Sequence, residues 1–425
     1  MRLPERDQQV IWHPFTQQKN RQLPIPVVKA SGSILYTEDN QSYIDAISSW
    51  WVTLHGHAHP YIAEKIYRQA LQLEQVIFAG FTHEPAVRLA ERLLPLLPGD
   101  FKRVFYSDNG STSTEVAIKM AVQFWWNQEQ KNRRKILAFN NAYHGDTFGA
   151  MSVSDRSVFT LAFHDLLFEV LFIDTPTHEN IDQLKSILQQ NGNDIAAFIY
   201  EPLVQGAGGM KMYDAGLMDQ LLTAVQQENI ICIADEVMTG FGRTGHFFAS
   251  EYMKHKPDII CLSKGLTGGT MALGVTACTD KIYQAYVNDD TCKTFFHGHS
   301  FTANPIACTA ALASLDLFEQ NNCLKIVQDI ADSHQGFLDR IKTFPHIKNT
   351  RLLGTILAFE LQTGKDEYLN NIGSLVTAMA LKNGVYLRPL GNTVYLMPPY
   401  CITKQELKKI YDVVYSILVE IQDNK

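Results

Sequence analysis

Three features of the sequence predict an α/β fold with a mainly parallel central sheet, helices on both of its faces and a smaller α+β domain. Short apolar runs alternate with helical stretches through most of the chain, and each run ends in a polar or ionisable side chain. Beyond about residue 315 the texture shifts to long amphipathic helices and short strands.

The runs, in order, are RVFYSD (103–108), KILAFN (135–140), IAAFIYEP (195–202), IICIADE (230–236) and DIICLSKG (258–265). Near-continuous apolarity over five or six residues marks strands covered on both faces, the habit of parallel sheets. Their ends carry Asp108, Asn141, Glu201, Asp235 and Lys264. Ligands of open α/β sheets lie outside the carboxyl ends of the strands, so these five groups are expected at one crevice.

No Pro/Gly/Ser linker, charge block or repeat period divides the 425 residues, and boundaries follow from the rhythm of elements. A large domain is expected over 46–315. A small α+β domain is expected over 316–425, from the helical CLKIVQDIADSHQGFLDRIKTF stretch and the TILAFEL, GVYLRPL and TVYLMPP strands. The N-terminal segment 1–45, with the hairpin-like SILYTEDNQSYIDA, is expected to join it.

At 46% hydrophobic and 19% charged, the chain can bury a large core. A net charge of -7 argues against a nucleic-acid partner, which requires a basic stripe. The start, MRLPERDQQVIWHPF, carries charges of both signs and no apolar leader core, and nowhere do about 18 apolar residues run together. Seven cysteines without a C-x-x-C pair make a poor disulfide framework. A soluble, unexported cytoplasmic protein with no membrane partner is expected.

The chemistry centres on Lys264, which follows a buried-strand pattern and precedes the Gly-rich GLTGG. A lysine so placed loses solvation, lowers its pKa and becomes a carbonyl nucleophile. Asp235 lies 29 residues earlier, at the end of its own strand. Pyridoxal 5'-phosphate (PLP) draws electrons only while its pyridine nitrogen stays protonated, and a buried carboxylate is the means of keeping it so. Gly110 and Ser111 follow a strand and open a helix whose stripe runs through Val116, Ala117, Met120, Ala121, Phe124 and Trp125. Backbone amides and the helix dipole there suit a phosphate, as they equally suit plain capping. Tyr143, next to His144 after another strand, can lie over a cofactor's face or pack beneath a loop. Taken singly, Lys264 reads as a surface lysine, and Asp235 as readily as a helix cap. Their shared address at strand ends carries the inference.

Two other signals are set aside. GFGRTG (240–245) matches a dinucleotide-binding fingerprint but is followed by HFFASEYMKHKPD, a poor helix for that role. His55, His57 and His59 alternate, yet Gly56 and Pro60 predict a turn rather than a rigid strand, and no metal site is expected.

ADEVMTGFGRTG (234–245), followed by the lysine of DIICLSKG, resembles the signature of the class III, fold-type I PLP-dependent aminotransferases, over nearly the whole chain. Within that family IWHPFT, SSWWVTLHGHAHP, AYHGDTFGAMSVSD, EPLVQGAGGMKMY, LTGGTMALG, the HG of FFHGHSF and LRPLGNTVYLMPPY are similar to the members that serve biotin biosynthesis. The resemblance implies a ping-pong transfer of an amino group from S-adenosylmethionine to 8-amino-7-oxononanoate, giving 7,8-diaminononanoate. It also implies a homodimer with shared active sites.

By the same resemblance Lys264 would hold PLP as a Schiff base, Asp235 would pair with the ring nitrogen, and Gly110 and Ser111 would bind phosphate. His299 and Ser300 would reach the cofactor from the neighbouring subunit. Trp50, Tyr143, Lys264 and Gly298 match substrate-contacting positions, and Arg388 the arginine that receives the oxononanoate carboxylate. A guanidinium offers a planar, bidentate match to that group, and the small domain sets it a chain length from the reacting carbon. The chain departs from the family in having Phe15 for the usual tyrosine, which removes a hydroxyl, and His299–Ser300 for a common proline–threonine pair, which keeps one. The rival readings are a class III aminotransferase for an ω-amino acid or diamine, a nicotinamide-dependent oxidoreductase using GFGRTG, and a silent scaffold of the same fold.

Overall fold

Four of the five apolar runs lie inside the largest sheet, and the first, RVFYSD, forms one of its edges. A computed structural model describes residues 2–19, 21–362 and 372–423. In chain order its strands begin with β1 (Val27–Ser31), β2 (Ile34–Thr37) and β3 (Ser42–Asp45). There follow β4 (Phe101–Ser107), β5 (Lys135–Phe139), β6 (Val170–Ile173) and β7 (Ile195–Tyr200), then a short hairpin of β8 (Val204–Gln205) and β9 (Lys211–Met212). The rest are β10 (Ile231–Asp235), β11 (Ile259–Leu262), β12 (Gly274–Thr279), β13 (Ile347–Leu353), β14 (Ile356–Leu361), β15 (Val385–Tyr386) and β16 (Thr393–Leu396).

Seven of these form one sheet in the order β4-β12-β11-β10-β7-β5-β6. The pairs from β11 to β6 are parallel, and β12 runs antiparallel to both β11 and β4. Every residue of β7, β10 and β11 is buried, as their unbroken apolarity predicts. Alternation survives inside that burial. Ile231 and Ile233 pack in the layer of Val116, Ala117 and Ala121, whereas Cys232 and Ala234 pack with Leu221 and Leu222 on the other face. The helices Gly110–Asn127 and Ala215–Gln227 thus cover opposite sides.

All five runs are strands, and β6 and β12 join them unforeseen. In β12, GVTACT, small and hydroxyl residues replace the large apolar ones, and the Thr276 hydroxyl is satisfied by donating to Ser113 O at 2.8 Å. Strand direction was also hidden, because a strand covered on both faces has the same composition whichever way it runs.

The N-terminal hairpin forms as β2 and β3, and TILAFEL and TVYLMPP form β14 and β16 of an antiparallel sheet with β13. GVYLRPL leaves that sheet: its β15 pairs in parallel with β3, Val385 opposite Ile44 and Tyr386 opposite Asp45. The first and last parts of the chain therefore share a sheet of order β1-β2-β3-β15.

GFGRTG opens no helix. It runs as a buried turn whose Arg243 guanidinium donates to Pro398 O at 3.0 Å and Thr53 O at 3.1 Å. His55 bonds Ser314 Oγ at 3.0 Å while His57 bonds Asp45 Oδ2 at 2.9 Å, so the two imidazoles serve different partners. Among the described residues no group of three His, Cys, Asp or Glu is placed to hold a metal, and no helix is long and apolar enough to cross a membrane. All seven cysteines are free.

Phe198 is fully buried in β7, its ring 5.0 Å from Phe139 and 5.1 Å from Tyr200. Phe198→Ala is expected to remove about 3–5 kcal/mol of stability, through lost burial and a cavity. Urea unfolding of the cofactor-free chain measures it; a loss under about 1 kcal/mol would mean the site collapses around the smaller side chain.

Candidate active site

Parallel strands end on one side of their sheet, and here the last residues carry charge into a hole. Asp235 closes β10, Glu201 follows β7, and Lys264 follows β11 after one serine. All three line a cavity of about 420 Å³. The other two strand-end groups do not. Asn141 lines the neighbouring cavity, and Asp108 accepts the Thr112 hydroxyl at 2.8 Å, committed to the start of the next helix.

Lys264 sits on a short turn with φ 43°, its Nζ 4.5 Å from the centroid of the Trp51 ring. Burial pulls its pKa down to about 8, against the opposing attraction of Asp235 and Glu201. An appreciable minority of the amine is therefore neutral and nucleophilic near physiological pH, far more than for a solvated lysine.

The Asp235 carboxylate accepts from Val237 N at 3.1 Å through Oδ1 and from His144 Nδ1 at 2.7 Å through Oδ2. Two of its roughly four lone-pair sites are filled, which leaves acceptor capacity toward the cavity. A carboxylate can only accept, so Nδ1 of His144 carries the proton, and its buried Nε2 has no protein partner. Glu201 accepts from Tyr143 N at 3.1 Å and Gly206 N at 2.9 Å. Burial raises its pKa to about 7; His144 opposes that shift and Asp235 adds to it.

Gly110 and Ser111 are the first two residues of an 18-residue helix. The Asn109 side chain takes the amide of Thr112 at 2.9 Å, so the Gly110 and Ser111 amides stand free of helix partners at its positive end. A Cβ on Gly110 would lie 2.7 Å from Val237 Cγ1, so only glycine leaves this cradle open. Gly145, with φ 133°, brings its loop so near Ser111 that a Cβ there would collide with the serine hydroxyl. Tyr143 borders both this cavity and one of about 550 Å³ that runs past Asp146, Phe159 and Leu390. Burial, with Asp146 beside it, keeps its phenol protonated far above neutral pH.

A free amide pair at a helix N-terminus, a carboxylate with unused lone pairs and a desolvated amine share one cavity. That donor set fits PLP group for group: phosphate, ring nitrogen and aldehyde carbon.

Trp50 and Arg388 meet outside this cavity, the guanidinium carbon 4.6 Å from the centroid of the Trp50 ring. Phe15 packs edge-on against Trp50 at 5.4 Å and against Phe159 at 5.7 Å. The tryptophan that walls the Lys264 cavity is Trp51, not Trp50. Gly298, His299 and Ser300 line neither of these two cavities. Their segment is tied instead to Gln75, which donates to Ser300 O at 2.5 Å.

Three residues of the site take roles that the sequence alone does not assign. His144 and Glu201 carried a signal, one beside Tyr143 and the other at a strand end. Their tasks depend on which side chains stand opposite. Trp51 had no separable signal, since only the local backbone decides which of two adjacent tryptophans turns inward.

Residues 15–418 match the class-III aminotransferase family. The adenosylmethionine-8-amino-7-oxononanoate aminotransferase of Synechococcus elongatus is 48% identical over 421 residues, 97% of this chain and 99% of that protein. A crystal structure of the protein of that name from Methanocaldococcus jannaschii superposes with a TM-score of 0.94 at 34% identity, over 98% of both chains. An amine transaminase from an uncultivated Pseudomonas species, solved in its PLP-bound form, superposes with a TM-score of 0.90 at 28% identity over 97% of this chain and 98% of its own. With near full-length agreement in sequence and fold, and with a cavity that suits the cofactor, the chain belongs to the class III aminotransferases.

Proposed function

We propose that the protein moves an amino group from S-adenosylmethionine to 8-amino-7-oxononanoate by a ping-pong route, yielding 7,8-diaminononanoate for biotin biosynthesis. The observation that carries this reading is the end-to-end likeness to the Synechococcus elongatus protein of that name. Arg388, on its tryptophan outside the lysine cavity, supplies the cation that a long-chain carboxylate needs.

PLP, bound through Lys264, supplies the electron sink that loosens the bond from the amino-bearing carbon to hydrogen. The chain's own groups do the rest. Gly110 and Ser111 amides hold the phosphate at the positive end of their helix. Asp235 keeps the ring nitrogen protonated, and the His144 Nδ1 proton on Oδ2 fixes the carboxylate's orientation. Once released from the cofactor, the Lys264 amine, its pKa lowered to about 8 by burial, would carry the proton from the donor's amino-bearing carbon to the cofactor's aldehyde carbon in one half of the cycle, and from that carbon to the acceptor's in the other. Tyr143 shields that exchange from water. Arg388 pairs with the acceptor's carboxylate, and Phe15 and Trp50 form an aromatic wall beside it.

A homodimer belongs to the same proposal. Leu71, Ile77, Phe81, Phe296 and Phe301 are large apolar side chains left exposed on and beside the segments that Gln75 and Ser300 join, a surface suited to a second copy. In that dimer Gly298, His299 and Ser300 would complete the neighbour's cradle.

A donor screen tests the whole reading. Product from 8-amino-7-oxononanoate should form with S-adenosylmethionine at least about tenfold faster than with glutamate or alanine, a difference of about 1.4 kcal/mol. No product from this acceptor, with turnover of an ω-amino acid or diamine instead, overturns it. Lys264→Ala should bind PLP without covalent attachment and lose at least about 10³-fold in kcat, and borohydride should label residue 264 in the parent; wild-type turnover in the variant overturns the assignment. Arg388→Ala should cost about 2–4 kcal/mol in kcat/KM for the acceptor half-reaction and leave the donor half within a factor of about three. Equal losses in both single-turnover halves would assign Arg388 another task.

The lowered Lys264 pKa has a pH signature of its own. The cationic form dominates below the pKa, so reductive alkylation of the cofactor-free chain at this residue should rise through pH 8, the value toward which burial shifts it. Surface lysines should follow only near about pH 10.4. Labelling of Lys264 in step with the surface lysines would mean that the amine is solvated.

A further inference from the structure

The two tryptophans owe their divergence to a backbone that L residues seldom adopt. Ser48, Ser49 and Trp51 have φ of 55°, 60° and 67°, and Ser49 adds ψ of −99°. None is glycine, so each conformation persists only because its surroundings hold it. The principal hold is Asp45, whose wholly buried carboxylate accepts from Ile47 N at 3.1 Å and Ser49 N at 2.6 Å. The third donor on that carboxylate is His57 Nε2, 2.9 Å from Oδ2, brought by a loop on the far side of the turn. The consequence lies at both ends of the substrate site. Trp51 turns inward to Lys264, and Trp50 turns outward beneath Arg388.

We propose that Asp45 and His57 are positioning residues for the acceptor: their pair locks the Ser48–Trp51 turn and thereby sets Trp50 under the Arg388 guanidinium. Neither residue lines either cavity, and Trp51 has its own hold, its Nε1 donating to the Tyr395 hydroxyl at 2.9 Å, so both act through Trp50. Oδ2 takes both the Ser49 amide and the His57 imidazole, so removing the imidazole unbalances the carboxylate that restrains Ser49. The turn then relaxes toward ordinary φ values, and Trp50 leaves its place. The pair also gives His57 an occupation that its neighbours His55 and His59 do not share. The inference rests on the proposal that Trp50 and Arg388 receive 8-amino-7-oxononanoate.

The test is a double-mutant cycle on the dimeric, PLP-loaded enzyme with a second readout on the cofactor-free chain. His57→Ala is expected to raise KM for the acceptor about tenfold with kcat within a factor of about three, and His57→Gln, which keeps a side-chain N–H donor, to restore most of it. Trp50→Ala should raise KM as well, and the double variant should be no worse than Trp50→Ala alone, because His57 acts through that ring. Effects that multiply, or a His57→Ala protein that only unfolds more readily, overturn the proposal. In cofactor-free protein labelled with 5-fluorotryptophan, the ¹⁹F resonance assigned by Trp50→Phe should shift or broaden in His57→Ala. An unchanged resonance overturns the proposal too. If Trp50→Ala leaves the acceptor KM unaltered, the placement of the acceptor is wrong, and the ¹⁹F result alone decides whether His57 positions the turn.

Discussion

Removing charge from water at the ends of β7, β10 and β11 is the constraint on which the rest of the molecule depends. Lys264, Asp235 and Glu201 are carried into one cavity, and each would be costly there without compensation. The fold answers differently for each. Asp235 receives a backbone amide and an imidazole, Glu201 receives two amides, and Lys264 has an aromatic face and the attraction of the two carboxylates. The amine gives way, with its pKa drawn down to about 8, and Glu201 rises to about 7. Desolvation that would be a defect in a structural core becomes the source of a nucleophile near neutral pH.

The same economy of backbone donors recurs where the N- and C-terminal parts of the chain meet. Asp45 ends β3, the strand that β15 joins, and Arg388 follows β15 by two residues. One small sheet therefore supports both the carboxylate that holds the strained Ser48–Trp51 turn and the arginine that Trp50 touches. Arg243, buried in the turn that GFGRTG forms, adds a bond to Thr53 O just beyond the tryptophans and another to Pro398 O. A fingerprint that reads as a dinucleotide motif is thus a clamp of one cation on backbone carbonyls of two distant segments.

Legibility in the sequence followed burial. β7, β10 and β11 were plain because strands sealed on both faces favour unbroken apolar runs, so their ends, and with them Lys264 and Asp235, could be located by counting. Gly110 and Ser111 were legible because a strand–turn–helix leaves amides free at a predictable place. β12 was not, since Thr276 satisfies its hydroxyl on Ser113 O and so breaks the apolar run without leaving the core. Asp108 shows the opposite error: a strand-end carboxylate that the next helix takes for itself.

The α/β class and the amine and carboxylate of the candidate site could be read along the chain, because they rest on local spacing and composition, whereas the family came from the resemblance of whole motifs. Tertiary structure decided what those residues face. It made His144 the partner of Asp235, gave Glu201 to the amides of Tyr143 and Gly206, and turned Trp51 rather than Trp50 toward Lys264. It also kept Gly298, His299 and Ser300 away from the cavity of their own chain. Each outcome depends on contacts between residues far apart in sequence or on a backbone forced to positive φ, and neither leaves a periodic trace along the chain.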